Sequence, residues 1–206
     1  MKIAAKRSNN RNFALLDAAA DLFATKGFRE TTMRDIASAV GMLAGSIYYH
    51  HGSKDELLLA VYEAGVENLV RAFNEAVGQE TDPWERLLGG MAVHIAAITR
   101  DDAYTRVVNR VWPDQVPKHA EALTVLRDRY ERCFRSLIDD LPLEPWVDRR
   151  LLRLMILGAG NHAQFWFNPG GRLNAEDIGR AFARFLIDPI AHPPAAGDVA
   201  PTGDAR

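Results

Sequence analysis

The chain has 206 residues, 48% of them hydrophobic, which is enough to bury a sizeable core, and its 25 Lys and Arg nearly balance 27 Asp and Glu. Cys133 is the single cysteine, so an intrachain disulfide and a thiolate metal cluster are excluded, and no run approaches the roughly 18 apolar residues that a membrane span requires. With no apolar run behind the N-terminal basic residues, a soluble cytoplasmic protein is expected.

From Arg11 to Ala24, Phe13, Leu16, Ala20 and Phe23 recur at three- and four-residue spacing, which predicts an amphipathic helix ended by Gly27. A second helix opens at Thr32, whose side chain can cap it while Asp35 returns the bond; Ile36, Ala37 and Val40 then face inward until Gly41. A very short third helix fits Ala44 to His50. Ser53 and Glu56 have full capping-box spacing and start a long helix through Leu57, Leu58, Val61, Tyr62, Val66, Leu69 and Phe73. Further helices are expected from Pro83 to about Arg100, from Asp101 and Asp102 to about Trp112, from Lys118 to Asp140, from Trp146 to Phe167 and from Ala175 to Ile187. The segment 189–206 reads as a disordered tail rich in Pro, Ala and Gly. The fold class is therefore all-α, of about nine helices, with no alternating pattern that argues for a strand.

Charge is unevenly distributed. Residues 1–54 carry eight basic and four acidic side chains, a net +4 that leaves the remainder at −6. A basic end on an acidic body suits a polyanionic partner. Helix, tight turn at Gly41 and short helix form a helix-turn-helix, whose second helix enters the major groove of DNA. Ala44, Gly45 and Ser46 are small enough for close approach to base edges, whereas Tyr48, Tyr49, His50 and His51 bring polar-tipped rings able to reach phosphates and sugars. Lys54 stands at a helix N-terminus, where charge and free N–H groups together can hold a phosphate. The adjacent histidines point in different directions from a helix, so neither a metal nor another cofactor is expected.

The run Thr31-Thr32-Met33-Arg34-Asp35-Ile36-Ala37, then Gly41, then Ser46-Ile47-Tyr48-Tyr49-His50-His51-Gly52-Ser53-Lys54-Asp55-Glu56-Leu57 resembles the N-terminal signature of the tetracycline-repressor (TetR) family. That resemblance implies that Tyr48, Tyr49, His50 and Lys54 lie at the DNA backbone, that Ala44, Gly45 and Ser46 read bases, and that Thr32 and Arg34 add contacts to phosphate or guanine. Two positions depart from the pattern: Leu43 stands where Ser or Thr usually caps the recognition helix, and His51 where Phe is usual. The first removes about 1 kcal/mol of capping, and the second puts a polar ring at a core position.

The resemblance further implies a DNA-binding domain over 1–54 and a ligand-binding and dimerisation domain over 55–188, the last two helices pairing across a two-fold axis on a palindromic operator. Leu151, Leu152, Leu154, Met155, Leu157, Phe182, Phe185 and Leu186 supply more apolar surface than one helix face needs, and Gly158 and Gly160 permit close helix approach. Residues joining an apolar body to a polar tip at inward positions are candidates for an inducer pocket: His94, Tyr104, Arg106, Asn109, Arg110, Tyr130, Asn161, His162, Phe165 and Trp166. The stretch from Asn161 to Leu173 resembles family members that regulate fatty-acid and steroid catabolism in response to acyl-coenzyme A thioesters, which implies an apolar pocket with Arg106 or Arg110 near an anionic group. An enzyme is not expected, since no nucleophile with a base, His-Glu-x-x-His motif or glycine phosphate loop is found. A ligand-independent regulator or activator, and a protein-interaction module, are the other readings that the sequence leaves open.

Overall fold

The computed structural model describes residues 2–191, and the side chains of residues 12–185 other than Ala44. Among the described residues the chain forms α1 (Lys2–Thr25), α2 (Met33–Ala39), α3 (Ala44–His50), α4 (Lys54–Val77), α5 (Pro83–Thr99), α6 (Ala103–Arg110), α7 (Ala120–Asp139), α8 (Arg149–His162) and α9 (Ala175–Ala191), with no strand. Short 3-10 turns occupy Pro113–Gln115, Pro117–His119 and Ala163–Phe165.

Two compact units divide these helices. The first comprises residues 1–75 and 97–133, the second residues 76–96 and those from 134 on. In the first, all seven apolar residues expected on the inner face of α4 are buried, and six of them, from Leu57 to Leu69, join Leu15, Ala19, Ile36, Ile47, Val107 and Leu123 in one core. Ile47 has no exposed surface, so the short α3 is held by an apolar anchor that its seven residues could not supply by backbone bonding alone. Gly65 on α4 brings that helix close to α6: a Cβ there would lie 2.8 Å from Val108 Cγ2. Within the second unit, Leu87, Met91, Ile95, Phe134, Leu137, Ile156 and Ala183 are buried. There α9 meets α5 at Gly179, where a Cβ would lie 2.4 Å from the Met91 carbonyl oxygen.

Several boundaries differ from those the sequence predicts. On α1 the buried stripe is Leu15, Leu16, Ala19, Ala20 and Phe23, whereas Phe13 is 61% exposed; the helix is turned so that Asn12, not Phe13, heads the stripe. The α7 helix starts at Ala120 instead of Lys118, because Pro117 opens a separate 3-10 turn. The α8 helix starts at Arg149 rather than Trp146, since the Asp148 side chain accepts the Arg150 and Leu151 N–H groups and so fixes the N-terminus; it ends at His162 and tightens into the 3-10 turn before Asn168-Pro169. Arg149 in turn donates to the carbonyls of Ile138, Asp139 and Leu141, satisfying the end of α7. The α9 helix continues to Ala191, so residues 189–191, expected in the tail, are helical; the rest of that tail, 192–206, lies outside the described residues.

Candidate nucleic-acid interface

The turn between α2 and α3 is built on one glycine. Gly41 has φ +63°, a left-handed conformation that L side chains rarely adopt, and the chain there returns Met42 N–H to Ala37 O at 2.9 Å. Leu43 follows in extended conformation as the N-cap of α3; it makes no side-chain cap bond and is 80% exposed. Gly45, Ser46, Tyr48, Tyr49 and His50 are all exposed, Tyr49 to 89%, and the Tyr49 and His50 rings meet edge to face at 5.6 Å. The expected DNA-facing residues of α3 whose side chains are described are thus all exposed while Ile47 among them is buried; the side chain of Ala44, also expected there, lies outside the described ones. Ala14, Val40, Gly41, Met42, Leu43, Ser46, Tyr49 and His50 line a groove of about 600 Å³ beside α3.

Thr32 and Asp35 form a complete capping box at the start of α2: Asp35 N–H donates to Thr32 Oγ1, and Thr32 N–H donates to Asp35 Oδ2. Lys26 pairs with the same carboxylate at 2.6 Å, and these bonds hold the Asp35 pKa down at about 2. Arg34 on this helix is exposed. At α4, Glu56 N–H donates to Ser53 Oγ as predicted, but the Glu56 carboxylate accepts from Gly52 N–H rather than from Ser53.

Lys54 does not project as a free cation. Its ammonium donates to the carbonyls of Phe28, Arg29 and Thr31 at 2.7, 3.2 and 2.8 Å and sits 4.5 Å from the Phe28 ring centroid. The Thr31 hydroxyl donates to Gly27 O at 2.7 Å from within the same loop. Between them these two side chains satisfy the turn from α1 to α2, and Lys54 thereby fastens α4 beneath the helix-turn-helix. His51 is half-buried, with Nε2 3.3 Å from Asn12 Oδ1 on α1. Burial and, secondarily, the neighbouring His50 lower its pKa, so the neutral ring serves as a hydrogen-bonded substitute for an apolar core residue. Asn12 was not among the expected functional residues; its signal is the polar residue at the head of the α1 stripe.

The ten candidate ligand residues divide evenly between the two units. In the first, Tyr104 OH donates to Asp17 Oδ1 at 2.8 Å and Arg110 donates to Ala24 O at 3.3 Å, so both tie α6 to α1. Arg106 pairs with Asp101 at 3.2 Å, Asn109 is half-buried, and Tyr130 packs edge to face on Phe73, with burial raising its pKa. In the second unit, His94 is buried against Phe134 and Gly160, its pKa lowered by burial to about 4 despite a side-chain hydrogen bond with Asn161. Asn161 and His162 are exposed, His162 leans on Phe165, and Trp166 packs on Phe182. Arg127, not expected as a functional residue, donates to Tyr62 OH at 2.9 Å and to Val108 O, and lies over the Trp112 ring. A groove of about 560 Å³ between α4 and α7 is lined by Leu59, Glu63, Lys118, His119, Glu121, Ala122, Val125 and Leu126, none of them among the ten.

Residues 15–61 match the family described as bacterial regulatory proteins, tetR family, and residues 80–190 match the tetracyclin repressor-like C-terminal domain. The transcriptional repressor KstR2 of Mycobacterium tuberculosis is 29% identical over 191 residues, spanning 88% of this chain and 94% of that protein. The solved structure described as the ketosteroid transcriptional regulator KstR2 of that organism superposes with a TM-score of 0.67 at 27% identity, covering 87% of this chain and 94% of that one. PfmR of Thermus thermophilus, a TetR family transcriptional regulator, gives 0.69 at 27% identity, covering 84% and 97%. The helix-turn-helix, the all-α body and a match extending through both halves have one reading: the chain belongs to the TetR family of DNA-binding transcriptional regulators.

Proposed function

We propose that the protein is a cytoplasmic homodimeric repressor that binds a palindromic operator through residues 1–54 and is released by an apolar ligand held in residues 55–188, the ligand being an acyl-coenzyme A thioester. The observation that carries the DNA-binding part is the exposed surface of α3, where Tyr48, Tyr49 and His50 stand clear of a core in which Ile47 is fully buried. Arg34 and the exposed end of Thr32 flank it on α2, which crosses the DNA backbone in this motif. Lys54 contributes by holding that surface in place.

Leu151, Leu154 and Met155 on α8 and Phe185 on α9 support the dimer: they are 48–78% exposed, forming an apolar face that a soluble protomer rarely leaves open. A two-fold dimer places one recognition helix in each half-site. The ligand class is supported by the Asn161 to Leu173 stretch and by the likeness, over 88% of this chain, to KstR2, a ketosteroid regulator by description. A ligand acts here by preferring one of two dimer conformations.

Duplexes enriched from a randomised pool by the full chain, then titrated with acyl-coenzyme A thioesters of graded chain length and with a ring-bearing thioester, test both parts. A steeply salt-dependent complex with a palindrome, released by one thioester class, is the expected result. An enriched palindrome that no thioester releases overturns the ligand assignment, and no enrichment overturns the operator.

A further inference from the structure

The recognition helix is poor in the side chains that read bases in pairs of hydrogen bonds. Bidentate readout of guanine requires Arg or Lys, and that of adenine Asn or Gln; α3 is Ala-Gly-Ser-Ile-Tyr-Tyr-His, with its Ile buried. What the start of the helix presents instead is apolar. Leu43, at the N-cap, is 80% exposed, lines the groove with Met42 and Ala14, and gives α3 no capping bond. Leaving a leucine open at a position where a hydroxyl would stabilise the helix is unfavourable for the isolated protomer on both counts. It is also the place from which recognition helices of this motif touch base edges. In the major groove the one apolar group displayed on a base edge is the thymine 5-methyl.

We propose that Leu43 is a specificity-determining residue that packs against a thymine 5-methyl group in each half-site. The inference rests on the DNA-binding reading and adds the chemistry of the base that is read. Gly45 and Ser46, both small and exposed, leave room for the leucine to come down onto the base edge.

The test uses thymine-to-uracil replacement, which removes the methyl and leaves every hydrogen-bonding group in place. A duplex enriched by the full chain is substituted one thymine at a time, and binding is measured for the native protein, Leu43→Ser and Leu43→Met. Loss of one buried methyl corresponds to about four-fold weaker binding per half-site. We expect one thymine in each half-site whose replacement weakens the native protein and Leu43→Met by that factor and leaves Leu43→Ser unchanged. Leu43→Ser supplies a capping oxygen, so the helix persists and binding to the thymine duplex remains measurable. If no thymine position distinguishes native from Leu43→Ser, the assignment of Leu43 fails while the operator stands; if no duplex is enriched, the DNA-binding reading fails first.

Discussion

Replacing Lys54 by Met keeps the aliphatic stem and removes the ammonium, leaving the carbonyls of Phe28, Arg29 and Thr31 without their donor. A hydrogen bond to a charged group contributes about 1.5–3 kcal/mol, but these three share one half-buried ammonium and their carbonyls regain water when it goes, so they do not sum. Adding about 0.5–1 kcal/mol for the lost contact with Phe28, the expected cost is about 3 kcal/mol, which for a chain of this length lowers the melting temperature by roughly 6–12 °C. Circular dichroism melts measure that. The salt dependence of operator binding, taken well below the melting transition, discriminates the two roles open to this lysine. A phosphate ligand in each half-site would lower the slope of log K against log salt by about 0.9 per half-site on removal, whereas a structural lysine leaves the slope unchanged. An unaltered melting temperature together with a reduced slope would refute the reading of Lys54 as a fastener.

Tyr49→Ala should weaken operator binding about ten-fold without shifting the melting temperature, since the ring is 89% exposed; unchanged anisotropy titrations would remove Tyr49 from the interface. His94 makes stability pH-dependent: the unfolded imidazole takes up a proton below about 6.5, while the buried one stays neutral to about 4, so stability falls as pH drops between those values. Urea titrations should lose about 2–3 kcal/mol between pH 7.5 and 4.5, and His94→Gln should flatten that difference; an equal slope in both proteins contradicts the assignment. Gly179→Ala should cost about 3 kcal/mol or more, because its Cβ would meet backbone atoms of Met91 and Ala92 that cannot move aside singly; a normal melting curve would dispute the close contact. Leu154→Arg with Phe185→Glu should give a helical monomer of sharply reduced operator affinity in light scattering and gel shifts; a persistent dimer would place the interface elsewhere.

What could be read in the sequence followed from periodicity and local chemistry. The inner face of α4 was legible residue by residue, because a long helix with one buried stripe repeats its signal. The span of α3, the capping box of α2 and the missing cap at Leu43 were legible for the same local reason. On α1 the expected Leu16, Ala20 and Phe23 are buried and Phe13 alone is not: Phe13 satisfies helical spacing as well as Asn12 does, yet it is Asn12 that lies against His51, 39 positions away. The role of Lys54 was not legible, because a lysine at a helix start looks the same whether it reaches a phosphate or the carbonyls of a loop 23–26 residues earlier. The ligand candidates were chosen for mixed polarity at inward positions, yet Tyr104 and Arg110 use their polar ends to join α6 to α1. Packing partners distant in sequence decide such roles, and no local pattern encodes them.

Gly179 carries a consequence for symmetry. Where α9 meets α5, main chain lies against main chain with no side chain between, so α9 cannot roll about its own axis without driving its backbone into Met91 and Ala92. The bearing of Phe185, a turn and a half further along, is therefore set by an atom that is missing rather than by a contact that is made. In a dimer formed through that face, the direction in which α9 offers Phe185 to its mate is inherited from a hydrogen at position 179.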